Sequence, residues 1–147
     1  AEGVVVVENF PRMLKYKDDS FHAEHLKLIG ADPVHGRESD SRRVYAKSHA
    51  WQGWENLFLL KQAIEASGWK TKKDDALVIE ALEGMEMANS LAFPQGAKRM
   101  RKQDHSGMID LYISRIENNE YRVQHKLTRD EVEARLPPRV DFSTMAL

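Results

Sequence analysis

One stretch of this chain leaves little choice of structure. Residues 48–68 read SHAWQGWENLFLLKQAIEASG. Trp51, Trp54 and Phe58 recur at helical spacing, and so do Leu57, Leu60 and Ile64. Leu59, Ala63 and Ala66 widen the apolar surface until only Lys61, Gln62 and Glu65 leave a narrow wet strip. A stripe this broad suits a helix packed on more than one side. Ser48 is placed to cap its start, and Gly68 stands where a left-handed residue closes a helix. The helix is predicted to lie in the core, with Leu60 and Ile64 nearly fully buried.

The rest of the chain supplies elements for this helix to pack on. Val4-Val5-Val6-Val7 is a continuous β-branched run ending at Asn9-Phe10-Pro11. Unbroken apolarity predicts a strand buried on both faces, as in a parallel α/β sheet. Asp18, Asp19 and Ser20 start a helix with Phe21, Leu26 and Ile29 on one face, and Gly30 closes it. Residues 31–43 are polar, with Pro33 and Gly36, and read as loop. A third helix begins between Thr71 and Asp75, carries Leu77, Val78, Ala81, Leu82 and Met85, and ends near Gly84. Residues 109–113 and 121–127 are strand-like around a turn at Glu117-Asn118-Asn119-Glu120, which predicts a hairpin. Beyond Arg135, Pro137-Pro138 and the lack of any period predict a loose tail or arm.

Composition excludes several function classes. At 147 residues the chain is the size of one domain. Its net charge of −1 gives no pull toward nucleic acid or membrane. With no cysteine there is neither disulfide nor thiolate chemistry, and no apolar run is long enough to span a bilayer. No phosphate-binding glycine loop, nucleophile elbow or catalytic carboxylate pair stands out, so no enzyme, cofactor or metal is expected.

Three groups of residues remain as candidate chemistry. His22 and His25 sit one turn apart, but the spacing differs from the zincin pattern and no third ligand is evident, so a solvated helix face is the ordinary reading. Lys98, Arg99, Arg101 and Lys102 cluster around Met100, a footprint too small for nucleic acid. They read as an exposed strand or turn. His49, Trp51 and Trp54 gather at the start of the long helix. Two indoles and an imidazole suit a pocket for an organic ligand, and equally suit a core.

The order of elements narrows the choice. An opening Ala-Glu-Gly-Val-Val-Val strand precedes a helix ending in Gly30-Ala31-Asp32-Pro33. Val44-Tyr45-Ala46-Lys47 leads into the long helix, and the next ends in Glu80-Ala81-Leu82-Glu83-Gly84-Met85. Pro94-Gln95-Gly96, Asp104-His105, a strand with Tyr112 and a hairpin complete the series. It resembles the C-terminal portion of type I periplasmic substrate-binding proteins of ABC importers for branched-chain amino acids, amides and aromatic acids.

The resemblance implies an α/β fold, a partial Rossmann-like lobe made of a strand, three helices and a C-terminal β-hairpin over residues 1–127, with residues 128–147 as a C-terminal tail. It also implies a fragment of a periplasmic solute-binding component that holds a small-molecule ligand and docks on an ABC permease. Trp54 matches the aromatic position that begins the family's corresponding helix near the ligand cleft, with His49 and Trp51 just before it. A piece of such a lobe is expected to rebury its uncovered apolar surface by self-association. Two other readings stay open: a stand-alone α+β interaction module that dimerises through the long helix, and a small enzyme using His22, His25 or His49.

Overall fold

The computed structural model describes residues 2–9, 24, 27–31, 48–118 and 120–145. The long helix, α1, runs Ser48–Ser67 as predicted. Its end is built by two small residues. The Ser67 hydroxyl donates to the Ile64 carbonyl (3.0 Å) and accepts the Trp69 amide (3.2 Å), and Gly68 turns the chain at φ +66°.

A 3₁₀ turn, Lys72–Asp74, then leads into α2, Asp75–Leu82. Thr71 starts it with a reciprocal cap: its hydroxyl accepts the Lys73 amide, and the Asp74 carboxylate accepts the Thr71 amide at 2.9 Å. Trp69 braces the corner by donating its indole N–H to Asp75 at 2.8 Å. Of the predicted helix from Asp18 to Gly30, most lies outside the described residues. Glu24, Lys27 and Leu28 are helical, and Gly30 follows at φ +68°.

Two antiparallel sheets complete the fold. The first has the order β1-β5-β6, built from Val5–Glu8, Leu111–Glu117 and Glu120–Leu127. The predicted hairpin is β5-β6, and Asn118 takes its turn at φ +54°, a conformation asparagine tolerates. The second sheet has the order β2-β3-β4, from Glu86–Met87, Lys98–Met100 and Gly107–Met108. Helix α3, Arg129–Arg135, returns across this sheet and buries Val132.

Three expectations are corrected. The valine strand β1 is neither parallel nor buried on both faces. It pairs antiparallel with β5, and Val5 and Val7 are 61% and 62% exposed. Alternate side chains of a strand point to opposite faces, and among the described residues only one face of this three-stranded sheet is covered. Leu60 is half exposed, at 50%, and Ile64 is only partly buried, where both were expected to be nearly fully buried. The face of α1 that meets the core is Glu55-Leu59-Ala63, with Ala63 at 0% and Glu55 at 3% exposure. A helix apolar nearly all round offers two stripes, and its buried carboxylate disguises the true one. Last, the segment after Arg135 is not loose throughout: Phe142–Thr144 form a 3₁₀ turn, and the Phe142 amide donates to the Gln103 carbonyl. Just before it, Thr128 and Glu131 form a second reciprocal cap for α3.

The core therefore lies between α1 and the segment around β2-β4, where Phe93, Met87, Met108, Ile109 and Tyr112 are buried. Phe93→Ala is expected to cost about 3–5 kcal/mol, against about 0.5 kcal/mol for Leu60→Ala. Urea denaturation of the two variants checks this, and a larger loss at Leu60 would reverse the assignment of faces.

Candidate functional site

The buried face of α1 carries one charge. The Glu55 carboxylate reaches the segment before β3, where one oxygen accepts the Gln95 amide N–H at 2.8 Å and the other pairs with the Lys98 ammonium. Lys98 also donates to the Gln95 side-chain oxygen at 3.3 Å and lies 6.0 Å from the centre of the Phe93 ring. Burying either ion alone is costly, and together they form a fixed cross-link between helix and sheet.

Beside this pair is a cavity of about 220 Å³. Gln52, Asn56 and Leu59 of α1 form one wall, and Met87, Met100 and Ile109 face them. Amides on one side and apolar groups on the other fit a small organic molecule with one polar edge. The volume is below the ~300–1,000 Å³ of complete small-molecule sites, as for a single wall of a larger one.

Trp54 points elsewhere. Its indole N–H donates to the Leu91 carbonyl at 3.0 Å, and its ring tilts against Phe58 with centroids 5.2 Å apart. The ring is thus held in one orientation, and it does not line the cavity. The backbone of His49 and Trp51 lies in the first turn of α1, and their side chains are outside the described set, as are His22 and His25. Among the described residues no cluster of three or more His, Asp or Glu is arranged to hold a metal. Sequence reasoning missed Glu55 and Lys98, because a lone Glu on a helix and a Lys in a basic run both read as solvated.

The basic cluster is also corrected. β3 is a strand, but Lys98 and Arg101 turn inward and each finds a carboxylate. Arg101 grips Asp104 through two nitrogens, Nε to Oδ1 at 2.8 Å, and also donates to the Leu136 carbonyl. Arg99 pairs with Glu133, and Lys102 with Glu83 at 3.1 Å. The Arg101 hydrogen bonds, helped by the Ser106 amide, hold the Asp104 carboxyl at about 2. Hydrogen bonds first from His105, then from Lys102, lower the Glu83 carboxyl below its usual range.

The described fold matches solved structures of transport proteins. One is a solute-binding protein of an ABC transporter from Rhodopseudomonas palustris BisB5, in complex with 3,4-dihydroxybenzoic acid, with 20% sequence identity and a TM-score of 0.59. Another is an ABC-type branched-chain amino acid transporter from Rhodopseudomonas palustris CGA009, with 16% identity and a TM-score of 0.50. Each match covers 88% of this chain and 32% of the other. The chain thus spans about a third of the length of the structures it matches. No family model matches the sequence, and no curated protein matches it. The architecture is a partial type I periplasmic-binding-protein fold. At these identities the likeness is one of fold.

Two outcomes follow from the ion pairs. Lys98→Met leaves Glu55 buried and unpaired and is expected to cost about 3–5 kcal/mol. Glu55→Leu with Lys98→Met removes both charges and leaves chiefly the Gln95 amide unsatisfied, so the double variant is expected to lose only about 1–3 kcal/mol. A double variant less stable than Lys98→Met would refute the pairing. Asp104, depressed on folding, stabilises fully above its ordinary carboxyl range near 3.8, and that contribution disappears as pH falls toward about 2. Thermal melts from pH 5 to pH 2 are expected to fall less steeply in Asp104→Asn than in the parent chain; parallel curves would contradict the assignment.

Proposed function

We propose that this chain is part of one lobe of the solute-binding component of an ABC importer for amino acids or related small organic acids and amides. The observation that carries the reading is the backbone likeness, along 88% of the chain, to two ABC-transport proteins. One of them holds a dihydroxybenzoic acid, and the other is described for branched-chain amino acids.

In this reading residues 1–127 form the lobe with its return strands, and 128–147 extend from it. The parent works in the periplasm, delivers its ligand to an ABC permease and performs no catalysis. Among the described residues no helix is long and apolar enough to cross a membrane, which fits a protein that meets its permease from outside. Trp54, Trp51 and His49 belong to the ligand side of the lobe. For Trp54 the Leu91 hydrogen bond would leave little freedom to lose on binding. Self-association of the isolated chain belongs to the same proposal, because Val5, Val7 and Leu57 are left exposed.

Titration with 3,4-dihydroxybenzoate and branched-chain amino acids, followed by Trp fluorescence, tests the reading. The parent is expected to bind one of them in the micromolar range, and Trp54→Ala to weaken it about tenfold or more, the effect of ~1.4 kcal/mol. The 147-residue chain alone is expected to reach only millimolar affinity, about −4 kcal/mol. Micromolar binding by this chain alone would instead favour a complete, stand-alone module.

A further inference from the structure

The sheet β2-β3-β4 brings four positions together on the side of the cavity beside Glu55. In its register Met87 stands opposite Lys98, and Met100 opposite Gly107. Lys98 and Met100 are two residues apart on β3 and so share a face. All four positions line the cavity. Three carry long side chains, and the fourth carries none. Gly107 is exposed, and a Cβ built on it meets nothing within 4 Å, so the gap left by the glycine lies at the mouth. Glu55, at 3% exposure, lies at the closed end.

The closed end has acceptor capacity to spare. An ionised carboxylate offers about four acceptor positions. Among the described residues Glu55 uses two, for the Gln95 amide at 2.8 Å and for the Lys98 ammonium. Lys98 is the one cation among the described lining residues, and it is already paired with Glu55. A second carboxylate entering here meets a like charge and no cation of its own. An O–H donor instead gives the buried carboxylate a charge-assisted hydrogen bond.

The other walls suit a flat ring. The thioethers of Met87 and Met100 adapt to shape and make favourable contacts with aromatic edges, and Leu59 of α1 faces them. A cavity of ~150 Å³ accommodates benzene. This one, at about 220 Å³, has room for a ring with a hydroxyl group. We propose that the cavity binds a small uncharged phenol. The O–H donates to Glu55, the ring lies between Leu59 and the two methionines, and any further substituent leaves past Gly107. The inference concerns the cavity alone and does not rest on the transport reading. A parent that binds no amino acid leaves it standing, and a cavity that binds no phenol leaves the likeness of fold standing.

Phenol, anisole and benzoate, titrated at about pH 7 into the 147-residue chain with isotope-labelled methionine methyls, test it by NMR. Anisole keeps the ring and lacks the O–H donor, and benzoate carries a charge in its place. Phenol is expected to shift the Met87 and Met100 methyl signals and the Gln95 amide saturably in the millimolar range. Anisole and benzoate are expected to bind about tenfold more weakly or worse. Gly107→Leu places a side chain in the mouth beside Met100, at a backbone position outside the left-handed region. It is expected to keep the circular dichroism of the parent chain and to weaken phenol binding about tenfold or more, since the added side chain takes up the space the ring needs. The absence of saturable phenol binding would overturn the inference. So would anisole or benzoate binding as tightly as phenol, or a folded Gly107→Leu chain that binds phenol undiminished. The comparison of the three compounds uses the unmodified chain, so it decides the matter even where the variant fails to fold.

Discussion

The buried pair of Glu55 and Lys98 holds the two halves of this structure together. Glu55 stands on the core face of α1, and Lys98 opens β3. Through the Gln95 amide and side chain the same two charges fix the loop that carries Phe93 into the core. Apolar contact alone would leave helix and sheet free to slide over each other. A carboxylate that must meet one ammonium and one N–H admits a single arrangement, the kind of uniqueness buried polar networks supply when every member is satisfied.

Further ion pairs extend this order outward. Arg101 and Asp104 fasten the turn after β3 and reach the carbonyl at the end of α3. Glu86 lies between Arg99 and Arg129, joining β2, β3 and the start of α3. Pairs as exposed as Glu86 contribute little singly, whereas the inward pairs of Lys98 and Arg101 are placed where water screens less. The run that reads as a basic patch is thus spent on carboxylates of the same chain.

Much of the fold was legible in the sequence. The apolar period of α1, its closing Gly68, the start of α2 between Thr71 and Asp75 and the β5-β6 hairpin all rest on local rules of spacing and capping, and local rules survive in the folded chain. The losses have a common cause. Burial depends on what lies across from a residue, and periodicity does not contain that. Nothing in the period marks Glu55 as core, and it is buried, whereas Leu60 looked like core and faces out. The valines of β1 signal a strand without saying how many of its faces are covered. Helix α3 was overlooked although Thr128 and Glu131 carry a capping-box signature. The residues that bore the family resemblance have structural work: Gln95 meets Glu55, Asp104 meets Arg101, and Glu83 meets His105. They mark a scaffold, which is why they pointed to a fold more clearly than to a ligand.

The candidate site follows the same division. The cavity beside Glu55 is set by the packing of α1 on β2-β4, whereas Trp54 is set by the carbonyl of Leu91 on the adjoining segment. One charged tie and one aromatic tie thus hold α1 against the segments beside it. The account's central claim, that Glu55 pins the 93–98 segment to α1, is tested most directly by native-state hydrogen exchange at the Gln95 amide. This N–H lies outside regular strand or helix and donates to the Glu55 side chain. It should exchange as slowly as the central amides of α1 and become fast in Glu55→Ala while α1 keeps its protection. Fast exchange of Gln95 in the unmodified chain would contradict the account.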